Sequence, residues 1–277
     1  MRALRLLPPR ELLFSRLVLI YQMPKIGSQT IEGSLQHYSF PHGIRRFHYL
    51  SSALNGEVRR GVRSKGPDAS WKRDAQAQLS AAGEISRAIR LRRFLSAFWS
   101  VPKLEVITGV RELIGLVLSS TFENYLYFEA TVEAMTVERC RQVLLHPKMY
   151  ASLRHWFDLE LKRFVGIDVF QKAFPIEQRH AVYENRFARV LLYRFEVLDQ
   201  LPGILQKFLN WNVPTLLESN IGAKKAYADQ YRHVRETLRL PTEFVTSLYG
   251  DKMMRHFYSE AERQRLFSKW AEPETKQ

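Results

Sequence analysis

The run Met23-Pro24-Lys25-Ile26-Gly27-Ser28-Gln29-Thr30 concentrates groups suited to holding a phosphate. Lys25 supplies a movable positive charge, Gly27 lets the main chain approach an anion closely, and Ser28 and Thr30 add hydroxyl donors. The run directly follows Leu17-Val18-Leu19-Ile20-Tyr21, whose apolar, β-favouring composition reads as a buried strand. It leads into Ser28 to Tyr38, which can form a helix. A strand that turns tightly into a helix leaves the first N–H groups unpaired at the turn, where the helix dipole also favours negative charge. The spacing is not that of a Walker A loop, which needs a glycine, four residues, then Gly-Lys-Ser/Thr. Here the lysine precedes the glycine by two residues, and no Gly-Lys pair occurs in the stretch. The late strand Leu191-Leu192-Tyr193-Arg194-Phe195 runs into Glu196 rather than an aspartate for magnesium. The plainer reading is an ordinary strand-to-helix turn with a solvated lysine.

Two further places carry chemistry. Val106-Ile107-Thr108-Gly109-Val110-Arg111 brings an arginine to the end of a strand, and Ser119 follows eight residues on. A guanidinium can grip phosphate with two donors, and a serine about two helical turns later can face the same ligand. Separately, each reads as a surface ion pair or a small packing residue. His48, in Phe47-His48-Tyr49-Leu50-Ser51, lies at the end of a second strand, where ligand sites of open α/β sheets gather. A hydroxyl acceptor needs a base poised near neutrality, and His48 leads that search over His37, His42, Glu57 and Asp168. A hydrogen-bonded structural histidine is the competing reading.

These residues resemble a known pattern. Pro24, Lys25, Gly27, Ser28 and Thr30 fill the fixed positions of Pro-Lys-x-Gly-Ser-x-Thr, so the segment resembles the 5′-phosphosulfate loop of sulfotransferases that use PAPS (3′-phosphoadenosine 5′-phosphosulfate). The resemblance implies that Pro24, Lys25, Ile26, Gly27, Ser28, Gln29 and Thr30 bind that nucleotide. Arg111 and Ser119 are similar to the half-site that holds its 3′-phosphate. Arg111-Glu112-Leu113 departs from the family's Arg-Asp-Pro, which puts the start of the following helix in question. His48 stands where several carbohydrate sulfotransferases place a catalytic histidine.

More widely, Gln22 to Ser28, Trp156 to Lys162, Gly166 to Phe170 and His256 to Glu260 resemble segments of the bacterial capsular polysaccharide synthesis family, itself sulfotransferase-like. The resemblance implies sulfuryl transfer from PAPS, without a metal, to a carbohydrate hydroxyl. The acceptor would be a capsular or other cell-surface polysaccharide, or its precursor. Lys25 would steady the leaving phosphate and His48 would take the acceptor's proton. Two segments also have structural readings. Trp156, Leu159 and Phe164 can pack one helix face with Asp158, Glu160 and Lys162 in solvent. Ser259 and Glu262 sit at capping-box spacing. The competing functions are a P-loop kinase or NTPase, and a polyanion-binding protein without catalysis.

The elements that must position these groups follow from the rest of the chain. Its 277 residues, 45% hydrophobic and 25% charged, suffice for one sizeable α/β domain. The single cysteine, Cys140, excludes an intrachain disulfide and fits a reducing, cytoplasmic setting. The net charge of +14 favours polyanionic partners, although no nucleic-acid motif is present and none is expected to bind. No window is apolar and long enough to span a bilayer. Strands are expected at Leu17 to Tyr21, Ile44 to Leu50, Leu104 to Val110 and Ala188 to Phe195. Helices are expected over Gln76 to Phe98, Glu112 to Thr131, Thr136 to Leu145, Tyr150 to Phe164, and in four stretches after Leu198. Gly166 to Phe174 reads as extended. The expected fold is a P-loop-like three-layer α/β domain spanning 1–277, with a mostly parallel central sheet and a largely helical C-terminal part. An N-terminal extension over 1–15 and a mobile, Gly-rich loop over 55–75 complete it.

Overall fold

The structure is a computed structural model. It describes residues 10–50, 69–125, 128–129, 131–217 and 225–273, with the side chains of 69–80 left aside. Five strands form one sheet in the order β2-β1-β3-β5-β4. They are β1 (Leu17–Tyr21), β2 (Gly43–Phe47), β3 (Leu104–Val110), β4 (His180–Glu184) and β5 (Ala188–Arg194). β1 pairs in parallel with β2 and β3, and β3 pairs in parallel with β5. Among the described strands only β4, at one edge, runs antiparallel. Every residue of β1 and β3 is buried, as expected for central parallel strands covered on both faces.

The chain leaves β1 toward β2 on one side, while β3 lies on the other. The carboxyl ends of β1 and β3 therefore flank a reversal of strand order, where open α/β sheets form their binding crevice. Helix α1 (Arg10–Phe14) precedes β1, and α2 (Ser28–His37) leads from β1 to β2. Helix α3 (Ala69–Leu95) precedes β3, and α4 (Leu113–Glu123) follows it. Then come α5 (Val137–Leu145), α6 (Lys148–Arg154), a π-helical turn over Phe157–Lys162, and a 3₁₀ turn over Val169–Gln171. After β5 the chain is helical: α7 (Leu201–Leu209), α8 (Ala228–Thr237), α9 (Thr242–Tyr249), α10 (Lys252–Phe257) and α11 (Glu260–Trp270).

Several expectations need correction. The second strand ends at Phe47, three residues early, and Leu50 N donates to Glu160 instead of to a neighbouring strand. The long helix after β3 stops at Glu123, where Asn124 leaves the helical region and its side chain bonds back to the Ser120 carbonyl. Residues 69–75 of the expected loop already belong to α3, and residues 55–68 lie outside the described part. Within the expected N-terminal extension, 1–9 are likewise outside it, but Arg10–Phe14 is a helix that buries Leu12 and Leu13. Val169–Gln171 breaks the extended stretch expected over Gly166 to Phe174.

Candidate functional site

β1 ends at Tyr21, and the segment after it turns sharply. Lys25 takes φ 64° and Gly27 φ 85°, both in the left-handed region. Gly27 accepts that conformation readily, whereas Lys25 is strained there, a cost that clusters at functional sites. The turn is held from beneath. Tyr193 donates its hydroxyl proton to the Ile26 carbonyl at 2.5 Å, and the Gln22 amide donates to the same oxygen at 3.2 Å. Ile26 itself is fully buried. It lies over Gly109, where an added Cβ would stand 2.6 Å from its Cγ2. A glycine at that point of β3 is therefore what lets the turn seat against the sheet. Gly27 has no side chain to cap α2, and it makes no side-chain cap bond there. The first residues of α2, Ser28, Gln29 and Thr30, border the cleft that this turn opens on.

β3 delivers Arg111 beside this turn. Its Nη1 donates to the Lys25 carbonyl at 3.0 Å, and its guanidinium lies 4.3 Å over the Phe195 ring. These contacts aim the arginine and leave other donors of the fork available. The replacement of Asp-Pro by Glu112-Leu113 has a structural answer. Glu112 is the N-cap of α4, accepting from Ile114 N at 3.0 Å and Gly115 N at 2.7 Å. Tyr249 donates to it as well, at 3.1 Å. Burial pushes its carboxyl above the ordinary value despite Arg111 and these donors.

The turn, Arg111 and Ser119 line one cleft of about 910 Å³. That lies toward the large end of the ~300–1,000 Å³ usual for ligand pockets. Pro24, Lys25, Gly27, Ser28, Gln29, Thr30, Arg111, Ser119 and His48 all border it. Ile26 does not; its side chain serves the core. Of the other candidate bases, His37, His42 and Asp168 do not line the cleft, and Glu57 lies outside the described residues. Asp168 instead pairs with Lys162 at 2.8 Å and accepts from Phe170 N.

His48 follows the end of β2. Its Nδ1 stands 2.8 Å from the Gln22 carbonyl. A carbonyl only accepts, so Nδ1 carries the proton and Nε2 keeps a lone pair. Burial pushes its pKa down to about 4, with Arg46 and Lys25 adding to the fall and the Gln22 carbonyl opposing it. Near neutrality His48 is therefore an uncharged imidazole.

The Trp156 to Lys162 segment supports this histidine from behind. Trp156 Nε1 donates to the His48 carbonyl at 2.8 Å. Glu160 accepts from Leu50 N at 2.7 Å and from the Tyr21 hydroxyl. Trp156 and Phe164 are buried and Lys162 is exposed, as expected, but Leu159 is 39% exposed and Glu160 fully buried, each in the place expected of the other. Glu160 lies four residues after Trp156 and four before Phe164, so the three share the buried face at ordinary helical spacing.

Lys25 has an ionic partner. Glu123, at the end of α4, stands 3.4 Å from Lys25 Nζ and 2.6 Å from Lys225 Nζ, and accepts from Tyr227. Burial alone would raise Glu123, but Lys225, Tyr227 and Lys25 outweigh it and hold it at about 2. Burial lowers the Lys25 pKa, with Glu123 resisting and Lys225 and Arg111 adding to the fall. Sequence reasoning missed Glu123 because it expected that helix to run on past it.

The far wall was missed too. Arg232, Arg235 and Arg239 come from α8 and just beyond it, and Lys269 from α11. Their spacing of three, four and seven residues is the one signal that they share a face. Burial lowers the Lys269 pKa, and Arg235, Arg111 and Arg239 depress it further. A cleft that crowds cations in this way suits a multiply charged anion.

Residues 135–259 match a family model described as "Putative capsular polysaccharide synthesis protein". The capsular family is thereby supported over the central and later parts of the chain. No curated protein and no solved structure matches the chain. The matched stretch holds Trp156, Glu160, Phe195, Arg235 and Arg239, the histidine support and part of the far wall. It also includes His256 and Ser259. His256 packs among Phe170, Phe174 and Phe257 away from the cleft, and Ser259 caps α11 in a capping box closed by Glu262. The Lys25 turn, His48, Arg111 and Ser119 lie outside the match.

Proposed function

We propose that this protein is a sulfotransferase that moves a sulfuryl group from PAPS to a carbohydrate hydroxyl, in the synthesis of a capsular or other cell-surface polysaccharide. One observation carries the reading: Lys25 and Arg111, at the ends of adjacent parallel strands, border the same cleft as Ser119 and His48. Two anion-holding groups on neighbouring strands suit a nucleotide with two separately placed phosphates. The first turn of α2 and Lys25 would take the 5′-phosphosulfate, and Arg111 with Ser119 the 3′-phosphate. The P-loop-like arrangement of strand, turn and helix fits the same reading. The match to the capsular family supports a carbohydrate as acceptor.

The reaction is an in-line displacement at sulfur. The acceptor oxygen forms its bond to sulfur as its proton passes to Nε2 of His48. The bond from sulfur to the 5′-phosphate oxygen breaks, and its electron pair leaves with the phosphate. Lys25 faces the charge that develops there, the role of an oxyanion-hole donor. To do so, Lys25 must exchange its pairing with Glu123 for the phosphate. A histidine titrating near 4 is a weak base, but an incoming polyanion raises its proton affinity as the site fills.

The test is to supply PAPS and fractionated capsular oligosaccharides without magnesium. One sulfate ester formed for each PAP (the desulfated nucleotide) released is the expected result. Magnesium-dependent release of phosphate from ATP, with no sulfate ester from PAPS, would instead indicate a kinase or NTPase.

A further inference from the structure

Helix α3 carries an outward face of unusual composition. Its inner side buries Ala82, Ile85, Ala88, Ile89 and Arg92. The opposite side bears the exposed residues Arg87, Arg90 and Phe94, at spacings of three and four. Just past the helix, Phe98 and Trp99 continue this aromatic run. Phe94, Phe98 and Trp99 are 59%, 65% and 60% exposed, and their rings touch one another in sequence. Phe14, on the neighbouring α1, is half exposed as well. Single exposed apolar residues are ordinary, but a contiguous aromatic cluster marks an interaction surface.

The platform beneath is built firmly. Arg92, fully buried, donates from Nη1 to the Leu12 and Ser15 carbonyls at 3.0 and 2.9 Å. From Nη2 it donates to the Pro102 carbonyl. One guanidinium thus ties α1, the end of α3 and the approach to β3 together. The rings stand on a fixed support. Around them Arg87, Arg90 and Arg93 are exposed, against Glu84 on the same helix and Glu11 on α1.

We propose that this face docks the protein on an anionic lipid surface. Aromatic rings settle at the level of lipid headgroups, and arginines beside them meet the negative surface potential. The charge surplus of the whole chain, +14, favours the same surface at longer range. Among the described residues no helix is long and apolar enough to cross a membrane. The inference does not depend on the chemistry of the cleft.

The experiment is co-sedimentation of the full chain with vesicles of equal parts phosphatidylserine and phosphatidylcholine, and with phosphatidylcholine alone. Binding to the anionic vesicles should exceed that to the zwitterionic ones by on the order of tenfold or more at low salt, and should weaken as salt rises. The triple variant Phe94→Ser, Phe98→Ser, Trp99→Ser should lose binding while keeping the thermal transition of the parent. The double variant Arg87→Glu, Arg90→Glu should lose the preference for anionic lipid. Absence of binding to anionic vesicles, equal binding to both kinds, or full binding by the triple variant would overturn the proposal. Light scattering covers the remaining occupant: a dimer that the triple variant dissolves, with no vesicle binding, would make the face a contact between two copies of this chain.

Discussion

The starts of α2 and α4 lie side by side, at the carboxyl ends of the paired strands β1 and β3, yet they are finished in opposite ways. Gly27 leaves the first turn of α2 without a side-chain cap, whereas Glu112 fills the same place on α4 with its own carboxylate. The first helix has no cap from its own N-cap side chain, and its opening residues Ser28, Gln29 and Thr30 line the cleft. At the second, the donors are already satisfied, and Arg111 must reach the ligand with its side chain. A strand-to-helix junction is therefore not an anion site by position alone. The cap residue decides whether its dipole is offered outward or spent internally.

Breaking the open junction should have the largest effect. Lys25→Ala removes the charge facing the leaving group. Turnover should fall by ~10²–10³-fold, the scale of losing one oxyanion donor, with a smaller loss of PAP affinity. Normal turnover in single-turnover kinetics would return Lys25 to the role of a solvated loop residue. Next comes the side-chain junction. Arg111→Ala should weaken PAP by about 1.5–3 kcal/mol, as for a lost charged hydrogen bond, while ADP affinity stays nearly unchanged. Calorimetry on the variant decides it, and equal losses for both nucleotides would mean that Arg111 does not read the 3′-phosphate.

Smaller still is the effect of removing the internal cap. Glu112→Ala should lower stability by ~0.5–2 kcal/mol, the usual cost of a lost N-cap. The preference for PAP over ADP should survive, because Arg111 is held independently by Lys25 and Phe195. A denaturant titration paired with PAP binding separates the two effects. The slightest effect is a pH dependence. His48 must be unprotonated to act, so kcat/KM should rise with pH through about 4 and then level, with no limb near 6.5. Because burial lowers the Lys25 pKa, activity should fall on the alkaline side before the ordinary lysine range is reached. An acid limb near 6.5 would place the base elsewhere.

The sequence was legible where the signal is local. β1 and β3 appear with the expected bounds because runs buried on both faces announce themselves. Capping chemistry at Ser259 was equally plain. The edge strand β4 was not, since only Tyr183 in it is buried and no alternation marks it. Glu160 escaped for another reason. It shares the face of Trp156 and Phe164 at four-residue spacing, but a carboxylate there reads as solvated until its tertiary partners, the Tyr21 hydroxyl and Leu50 N, are in place. In the cleft, Lys25 and Arg111 stood out beside their strands. Glu123, Arg235, Arg239 and Lys269 join it only through tertiary packing, which no local pattern encodes.

The proposed reading calls for a ligand with two anionic ends, one met by Lys25 at the start of α2, the other by Arg111 and Ser119. Calorimetric titration of the unaltered protein with PAP, and with ADP as control, both without magnesium, tests this directly. PAP should bind more tightly than ADP by at least about tenfold, as one charged hydrogen bond to the 3′-phosphate would give. Equal affinity for the two nucleotides, or binding of ADP alone, would contradict the account.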